Sequence, residues 1–421
     1  MLIFRRFEHL ALYLRKTYAN PLWVSVNDVI SRGAIEILDE LEETLSLERD
    51  KRRVYGQRLG QLERIKEYRY PVMIIHTDDY EEVTESFIRI NSRGTRLREA
   101  ELAMAQLAYH WPGALVKEFE TALEDYEQAD YSLEARFLMR CFVAIGTNQS
   151  RFRYLGNLWK KGQSELESIW KQTKKAVDHT INFLRNNAGI ESSEWLPSVN
   201  ALIPLVVYLS KTNGRLSEAE TNGLLFWFLE ATIHGRFTGS PETKLDQDLR
   251  AIAGTTPLED LMANIKREVA KLDITPEMIE GKYQRHPFLP LVFIIFRANK
   301  ARDWFTGTTL SSTNVGPEHQ LELHHIFPRA VLIQSNHFDA HEIDDLANIA
   351  FLSQKANRSI LKSFPIDYLP QIEKERLQAQ EIPLEEDLWQ IEQYRDFIMK
   401  RRSLLTQAIN GFLGNLGKSW L

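Results

Sequence analysis

A chain of 421 residues, 43% hydrophobic and 10% aromatic, can bury two or three cores of ordinary domain size, which excludes a disordered tail. A net charge of −6 and a pI near 6.1 exclude wholesale coating of a polyanion and confine any DNA contact to a local patch. Cys141 is the only cysteine, so disulfides and cysteine-ligated zinc drop out and a reducing cytosol suits the chain.

At the N-terminus, MLIFRRFEHLALYLRKTYANPLW has Arg5, Arg6, Glu8, Arg15 and Lys16 cutting every apolar run, so it holds no signal-peptide core. No stretch of about 18 apolar residues follows to span a membrane. A soluble protein of the cytoplasm, without membrane partners, is expected. Residues 1 to about 70 read as helices: GAIEILDELEETL and RLGQLERIKEY carry apolar residues at three- and four-residue spacing, and the charge cluster ERDKRR between them reads as a solvated connection. YRYPVMIIHTDD reads as a strand after Pro71, closed by a polar turn at Thr77–Asp79. A helix through EEVTESFIRI then stops at NSRG, where Gly94 suits a left-handed cap, and the next begins near Glu99.

From about 115 to 275 the pattern is helical throughout, in SLEARFLMRCFVAI, ELESIWKQTKKAVDHTINFLRNN, LPSVNALIPLVVYLS and EAETNGLLFWFLEATIHGRF. The aromatic stripes at helical spacing read as core rather than as a cofactor box. GSPETKLDQDL places an N-cap at Ser240 and a proline at the first helical position, opening a helix expected to face solvent at Asp246 and Asp248. The texture changes near 275, where an apolar run FLPLVFIIFRANKARDW leads into a Gly/Ser/Thr-rich loop. Beyond Pro383 the tail reads as one long helix that could clamp back onto the preceding unit. Its Gly-Lys-Ser is no phosphate loop, since Phe412 stands where that loop needs glycine and no strand precedes it.

The stretch LELHHIFPRAVL at 321–332 holds the strongest chemistry. Eleven histidines would give an adjacent pair by chance in about one chain in four, so the context has to carry the weight. If LEL is a strand, successive side chains alternate faces, and His324 and His325 point in different directions. One imidazole can then hold a metal ion while the other serves as a base near neutral pH. NIAFLS reads as a second strand, and QKANRSI opens a helix with Asn357 near its first turn. The bland alternative makes the histidines core or interface residues and the asparagines turn and cap residues.

His-His-Ile-x-Pro, Asn-x-x-x-Leu-Ser and Asn-Arg together resemble the ββα-metal unit of HNH nucleases. The resemblance implies that His324 is a metal ligand, where many members have Asp, and that His325 is the general base. It implies too that Asn348 braces the connecting loop so as to aim the base, and that Asn357 gives the other metal contact through its amide oxygen. Arg358 and Lys355 would touch phosphate. Two neutral ligands leave the divalent ion open among magnesium, manganese, nickel and zinc.

FIRINSRGTRLREAELAMAQL, HGRFTGSPETKLDQDL and ANKARDWFTG are similar to segments of GmrSD-type restriction enzymes, which join a nucleotide-hydrolysing ParB/sulfiredoxin-like domain through helices to an HNH domain. That likeness implies a predominantly α, α+β protein in three parts: a truncated ParB-like remnant over 1–115, a helical linking domain over 116–275, and an HNH domain with a C-terminal helix over 276–421. Two departures stand out. Arg98 follows Leu97 where the family commonly has a serine cap, and the Asp-Gly-Gln-Gln-Arg stretch that carries the nucleotide chemistry is nowhere in the sequence. Asn91 and Gly94 are therefore explained equally by turn and cap duty, and no nucleotide-binding residue is assigned. A shortened reading frame and a partner chain supplying the missing half both fit, and a homo-oligomer is a third arrangement. The expected function is metal-dependent DNA cleavage in restriction of foreign or modified DNA. The rivals are a non-catalytic or split DNA-binding scaffold of a defence system and a nuclease acting on RNA.

Overall fold

The apolar spacing of GAIEILDELEETL closes as the helix Ala34–Leu45, which in the computed structural model of the protein shares a small core with Val29 and with Leu59 of the helix Arg49–Glu63. Most of the charge cluster expected as a wet connection lies inside that second helix, with Glu48 as its cap. Arg52 reaches back to Asp39 at 3.0 Å and Glu42 at 2.5 Å. A run of exposed charges fits a solvated helix face as well as a loop, and the pairing decides for the helix.

The structure describes residues 22–69, 74, 82, 86, 99–196, 198–239, 241–269, 271–282, 286–418 and 420. Nearly all of the strand expected after Pro71 and of the helix over 81–90, together with the Asn91–Gly94 turn and the Ser240 cap, lies outside them. The chain divides into two compact units, Met1–Phe87 and Ile88–Leu421.

In the second unit the helical stripes close as Ala135–Thr147, Gln163–Ala188, Leu202–Thr212 and Glu218–Ile233. The last opens on a capping box between Ser217 and Glu220. One core runs from Ala100 to Leu413, and residues on both sides of position 275 contribute to it, Leu261 and Ile265 before, Ile279 and Phe293 after. The large aromatics are core: Phe119 stacks on Trp170, with ring centroids 4.1 Å apart.

Asp246 and Asp248 do not face solvent. The helix Glu242–Ala253 buries both: Asp248 accepts from Arg236 at 2.8 and 2.9 Å and from Asn264 at 2.8 Å, while Asp246 accepts from Ser150 at 2.7 Å and Arg151 at 2.6 Å. Buried charge is tolerated here because it is paired and hydrogen-bonded.

FLPLVFIIFRA forms the helix Phe288–Ala298, and the following ARDWFTG makes a turn in which the buried Asp303 accepts from Thr306 N and Ser353 N, both at 2.7 Å. The only sheet among the described residues is the antiparallel pair β1 (Leu321–His325) and β2 (Ile349–Ser353). The fold is therefore α+β and predominantly α. Among the described residues no helix is long and apolar enough to cross a membrane.

The tail departs from one continuous helix. Short 3-10 turns occupy Glu386–Trp389 and Ile391–Gln393, and the helix runs over Tyr394–Gly417. The indole of Trp389 donates to Pro383 O at 2.8 Å and Gln390 is extended, so the segment folds back before the helix can start. The helix does clamp onto the β1–β2 region: Arg402 pairs with Asp345 at 2.7 Å, and the buried Arg401 donates to Ala347 O and Ile349 O at 2.8 and 2.7 Å.

Candidate functional site

β1 and β2 pair in a register that sets His324 opposite Ala350 and His325 opposite Ile349. The chain passes from β2 directly into the helix Gln354–Ile360, capped by the Ser353 hydroxyl accepting from Ala356 N at 3.2 Å. This strand, strand and helix bring His324 and Asn357 together.

His324 is buried, at 3% exposure, and its Nδ1 lies 2.8 Å from Asn357 Oδ1. The other face of that amide is committed, because Asn357 Nδ2 donates to Glu322 Oε2 at 2.8 Å. Across the ring, Nε2 lies 3.3 Å from the Tyr368 hydroxyl, which donates its own proton to Ile326 O at 2.9 Å. A neutral imidazole has one proton for two acceptors, so the partners select the tautomer. With the proton on Nδ1 it goes to Asn357, and Nε2 faces the Tyr368 oxygen unsatisfied. With the proton on Nε2 it goes to Tyr368, and two lone pairs, on Nδ1 and on Oδ1, converge 2.8 Å apart. A third form, the imidazolium, is disfavoured: burial pulls the His324 pKa down to about 4, with the Asn357 hydrogen bond working against it and the charge of His325 adding to it.

Converging neutral N and O lone pairs fit a cation. Their separation is close to the edge of an octahedron with bonds of about 2.1 Å, which is about 3.0 Å. Glu322 sets a negative charge behind the amide, and Gln354 Nε2 steadies that carboxylate at 2.8 Å. Among the described residues no three His, Cys, Asp or Glu side chains gather as a ligand set, so a cation held here would complete its shell with water and substrate oxygens.

His325 goes the other way, as strand alternation requires. Its Nε2 lies 3.2 Å from Asp344 Oδ1, and Asp344 is held by Arg329 through bonds of 2.8 and 3.0 Å. The Arg329 hydrogen bond is the main cause keeping the Asp344 carboxyl ionised below its usual range, with burial opposing it and His325 assisting. Burial lowers the His325 pKa as well, partly offset by Asp344. A neutral ring donating from Nε2 to Asp344 carries its basic lone pair on Nδ1.

Asn348 is fully buried and braces the turn after His325. Its Oδ1 accepts from Phe327 N at 2.9 Å, and its Nδ2 donates to Phe327 O at 3.2 Å and Ile343 O at 3.1 Å. Lys355 and Arg358 lie on the exposed side of the Asn357 helix, Lys355 paired with Glu318 at 3.1 Å.

Four residues of this arrangement escape a reading of the sequence: Glu322, Asp344, Arg329 and Tyr368. Glu322 is within reach of one, since it shares a strand face with His324 two residues on. No protein-family model matches the chain and no curated protein matches it, so functional assignment rests on the geometry of these side chains.

Proposed function

We propose that the protein is a metal-dependent endonuclease of the ββα-metal type that hydrolyses DNA phosphodiester bonds in restriction of foreign or modified DNA. One observation carries the reading: His324 Nδ1 and Asn357 Oδ1 converge 2.8 Å apart across a strand–helix junction, while the adjacent His325 is oriented independently by Asp344. Those are the two separate roles that hydrolysis of a phosphodiester needs, a cation site and a base. His324 and Asn357 would hold the divalent ion, with Glu322 polarising the amide and Tyr368 accepting the Nε2 proton. When bound, the ion neutralises charge that develops on the phosphoryl and leaving oxygens. His325 Nδ1 takes a proton from the attacking water as its oxygen bonds to phosphorus, and the phosphorus bond to the leaving oxygen breaks. Asp344 keeps the ring in the tautomer that can accept that proton and stabilises the imidazolium that forms. Arg358 and Lys355 are the cations nearest in sequence to Asn357 for flanking phosphates. With neutral imidazole and amide as protein ligands, manganese and nickel are expected to serve better than magnesium.

A second reading is a DNA-binding or regulatory scaffold, favoured by the deep burial of His324 and the protein partners on both its ring nitrogens. Cleavage of plasmid DNA, unmodified and hydroxymethylated, with magnesium, manganese or nickel separates the two. Metal-dependent cutting that disappears in His325→Ala is the expected result. Equal inertness of both proteins with every metal and substrate would leave the scaffold.

A further inference from the structure

Leu361 is 73% exposed and stands at φ 52°, ψ −112°. That backbone suits glycine, and a residue with a Cβ holds it only under strain. Among the described non-glycine residues with positive φ it is the only aliphatic one; the others are Ser, Asp, Asn, Lys and Glu. An apolar side chain is thus kept in water in a conformation it resists, where asparagine or glycine would serve an ordinary turn better.

Its position is tied to the candidate site on both sides. Leu361 N donates to Asn357 O at 3.2 Å, closing the helix that carries Asn357. The chain then runs on to the short helix Pro365–Tyr368, whose Tyr368 meets the other nitrogen of His324. The surroundings are open: Arg358 and Lys362 are exposed, and among the described residues neither has an ion-pair partner, while one exposed carboxylate, Asp367, follows on the same connection. Ile366, 37% exposed, adds a second aliphatic group on the same connection.

Two exposed cations beside an exposed aliphatic group match duplex DNA, which offers phosphates to the first and stacked base steps to the second. We propose that Leu361 is a wedge that enters the minor groove of duplex DNA and partly unstacks one base step, at an offset from the scissile phosphate fixed by the turn linking Asn357 to Tyr368. The inference rests on the nuclease reading for the identity of the bound polymer. The positive-φ turn sets the direction in which the Leu361 Cα–Cβ bond leaves the chain, at the end of the helix that carries Asn357.

The test uses the full chain as His325→Ala without metal, bound to a duplex carrying fluorescent aminopurine at successive positions. Brightening at one step only, abolished by adding Leu361→Gly and kept by Leu361→Met, is expected. In the otherwise wild-type protein, Leu361→Gly should slow duplex cleavage about tenfold. Glycine fits this backbone, so an unchanged or higher melting temperature is expected to accompany the loss. Uniform fluorescence at all positions, a signal that survives Leu361→Gly, or a change of oligomeric state in Leu361→Gly would each overturn the wedge, the last by assigning the side chain to a protein interface. Since unstacking is read without cleavage, a wedge signal with no cutting by the wild type would remove the nuclease reading alone. Cutting with no wedge signal would remove the wedge alone.

Discussion

Arg401 donates through Nη1 to the carbonyl oxygens of Ala347 and Ile349, the residues on either side of Asn348, at 2.8 and 2.7 Å. Its Nη2 donates to Gln380 O at 2.9 Å, so one buried guanidinium ties the C-terminal helix to the start of β2 and to the turn before the tail. Replacing it with methionine fills most of the volume but leaves four carbonyls without their donor, those of Ala347, Ile349 and Gln380 buried and that of Glu381, which accepts from Nε at 3.2 Å, part-buried. Arg401→Met is expected to lose at least about 3 kcal/mol, since hydrogen bonds from charged donors contribute about 1.5–3 kcal/mol each. Arg401→Lys should recover only part of this, because an ammonium lacks the planar fork. Urea unfolding midpoints measure both, and a methionine variant as stable as the parent would refute this role for Arg401.

Glu322 aims Asn357. Its two oxygens accept from Asn357 Nδ2 and Gln354 Nε2, both at 2.8 Å, which leaves Asn357 Oδ1 directed at His324. A glutamine there has only one oxygen for two amide donors and must turn its own NH2 toward one of them. Glu322→Gln is therefore expected to weaken manganese binding about tenfold or more, as lost support behind a ligand commonly does. Calorimetric titration with the metal, using His324→Ala as the baseline, reads this directly. Affinity within about twofold of the parent would show that Asn357 keeps its aim unaided.

How the site reads from sequence follows from which interactions are local. Strand alternation is a property of neighbouring residues, so it sends His324 and His325 to opposite sides before any tertiary contact is known, and it places Glu322 beside His324 as well. Tyr368 lies 44 residues from the histidine it touches, and only packing brings them together. Helical periodicity marks Asp246 and Asp248 as polar positions correctly, yet cannot say that this polar face meets Arg236, Asn264 and Ser150 instead of water. The late start of the C-terminal helix has the same origin: LEEDLWQIEQ is locally a fair helix, and the Trp389 bond to Pro383 O overrides it.

If a cation lies between His324 and Asn357, the neutral His324 ring carries its proton on Nε2, and the Tyr368 hydroxyl is the acceptor placed for it. That hydroxyl is committed as donor to Ile326 O at 2.9 Å, which leaves it an acceptor for His324 Nε2. Tyr368→Phe removes that acceptor and strands the carbonyl of Ile326. Stability should fall by about 1–2 kcal/mol from the unpaired groups, and metal affinity by about tenfold. Nitrogen NMR of the metal-loaded protein should place the His324 proton on Nε2 in the parent. The assignment of Tyr368 fails if the variant keeps the parent's metal affinity.

Glu191 fastens the end of the long helix Gln163–Ala188 to the loop before β1. Its carboxylate accepts from Ser311 Oγ at 2.5 Å and Ser312 N at 3.2 Å and pairs with Arg297 at 2.9 Å. Burial pushes its pKa up, but the hydrogen bond from Ser311, the charge of Arg297 and the Ser312 bond outweigh it, and the group sits below the ordinary 4.5. A carboxyl whose folded pKa is depressed binds its proton more readily when unfolded. It therefore stabilises the fold at pH above the ordinary value, and that contribution fades as pH falls through the folded value. Glu191→Gln should cost about 2 kcal/mol near pH 7, the scale of one or two charge-assisted hydrogen bonds. The stability gap between parent and variant should begin to shrink on acidification below pH 4.5 and close at lower pH. Melting temperatures of the two proteins across that range measure the gap. A gap that stays constant from neutral to acid pH would mean that the ionised carboxylate contributes nothing beyond its shape.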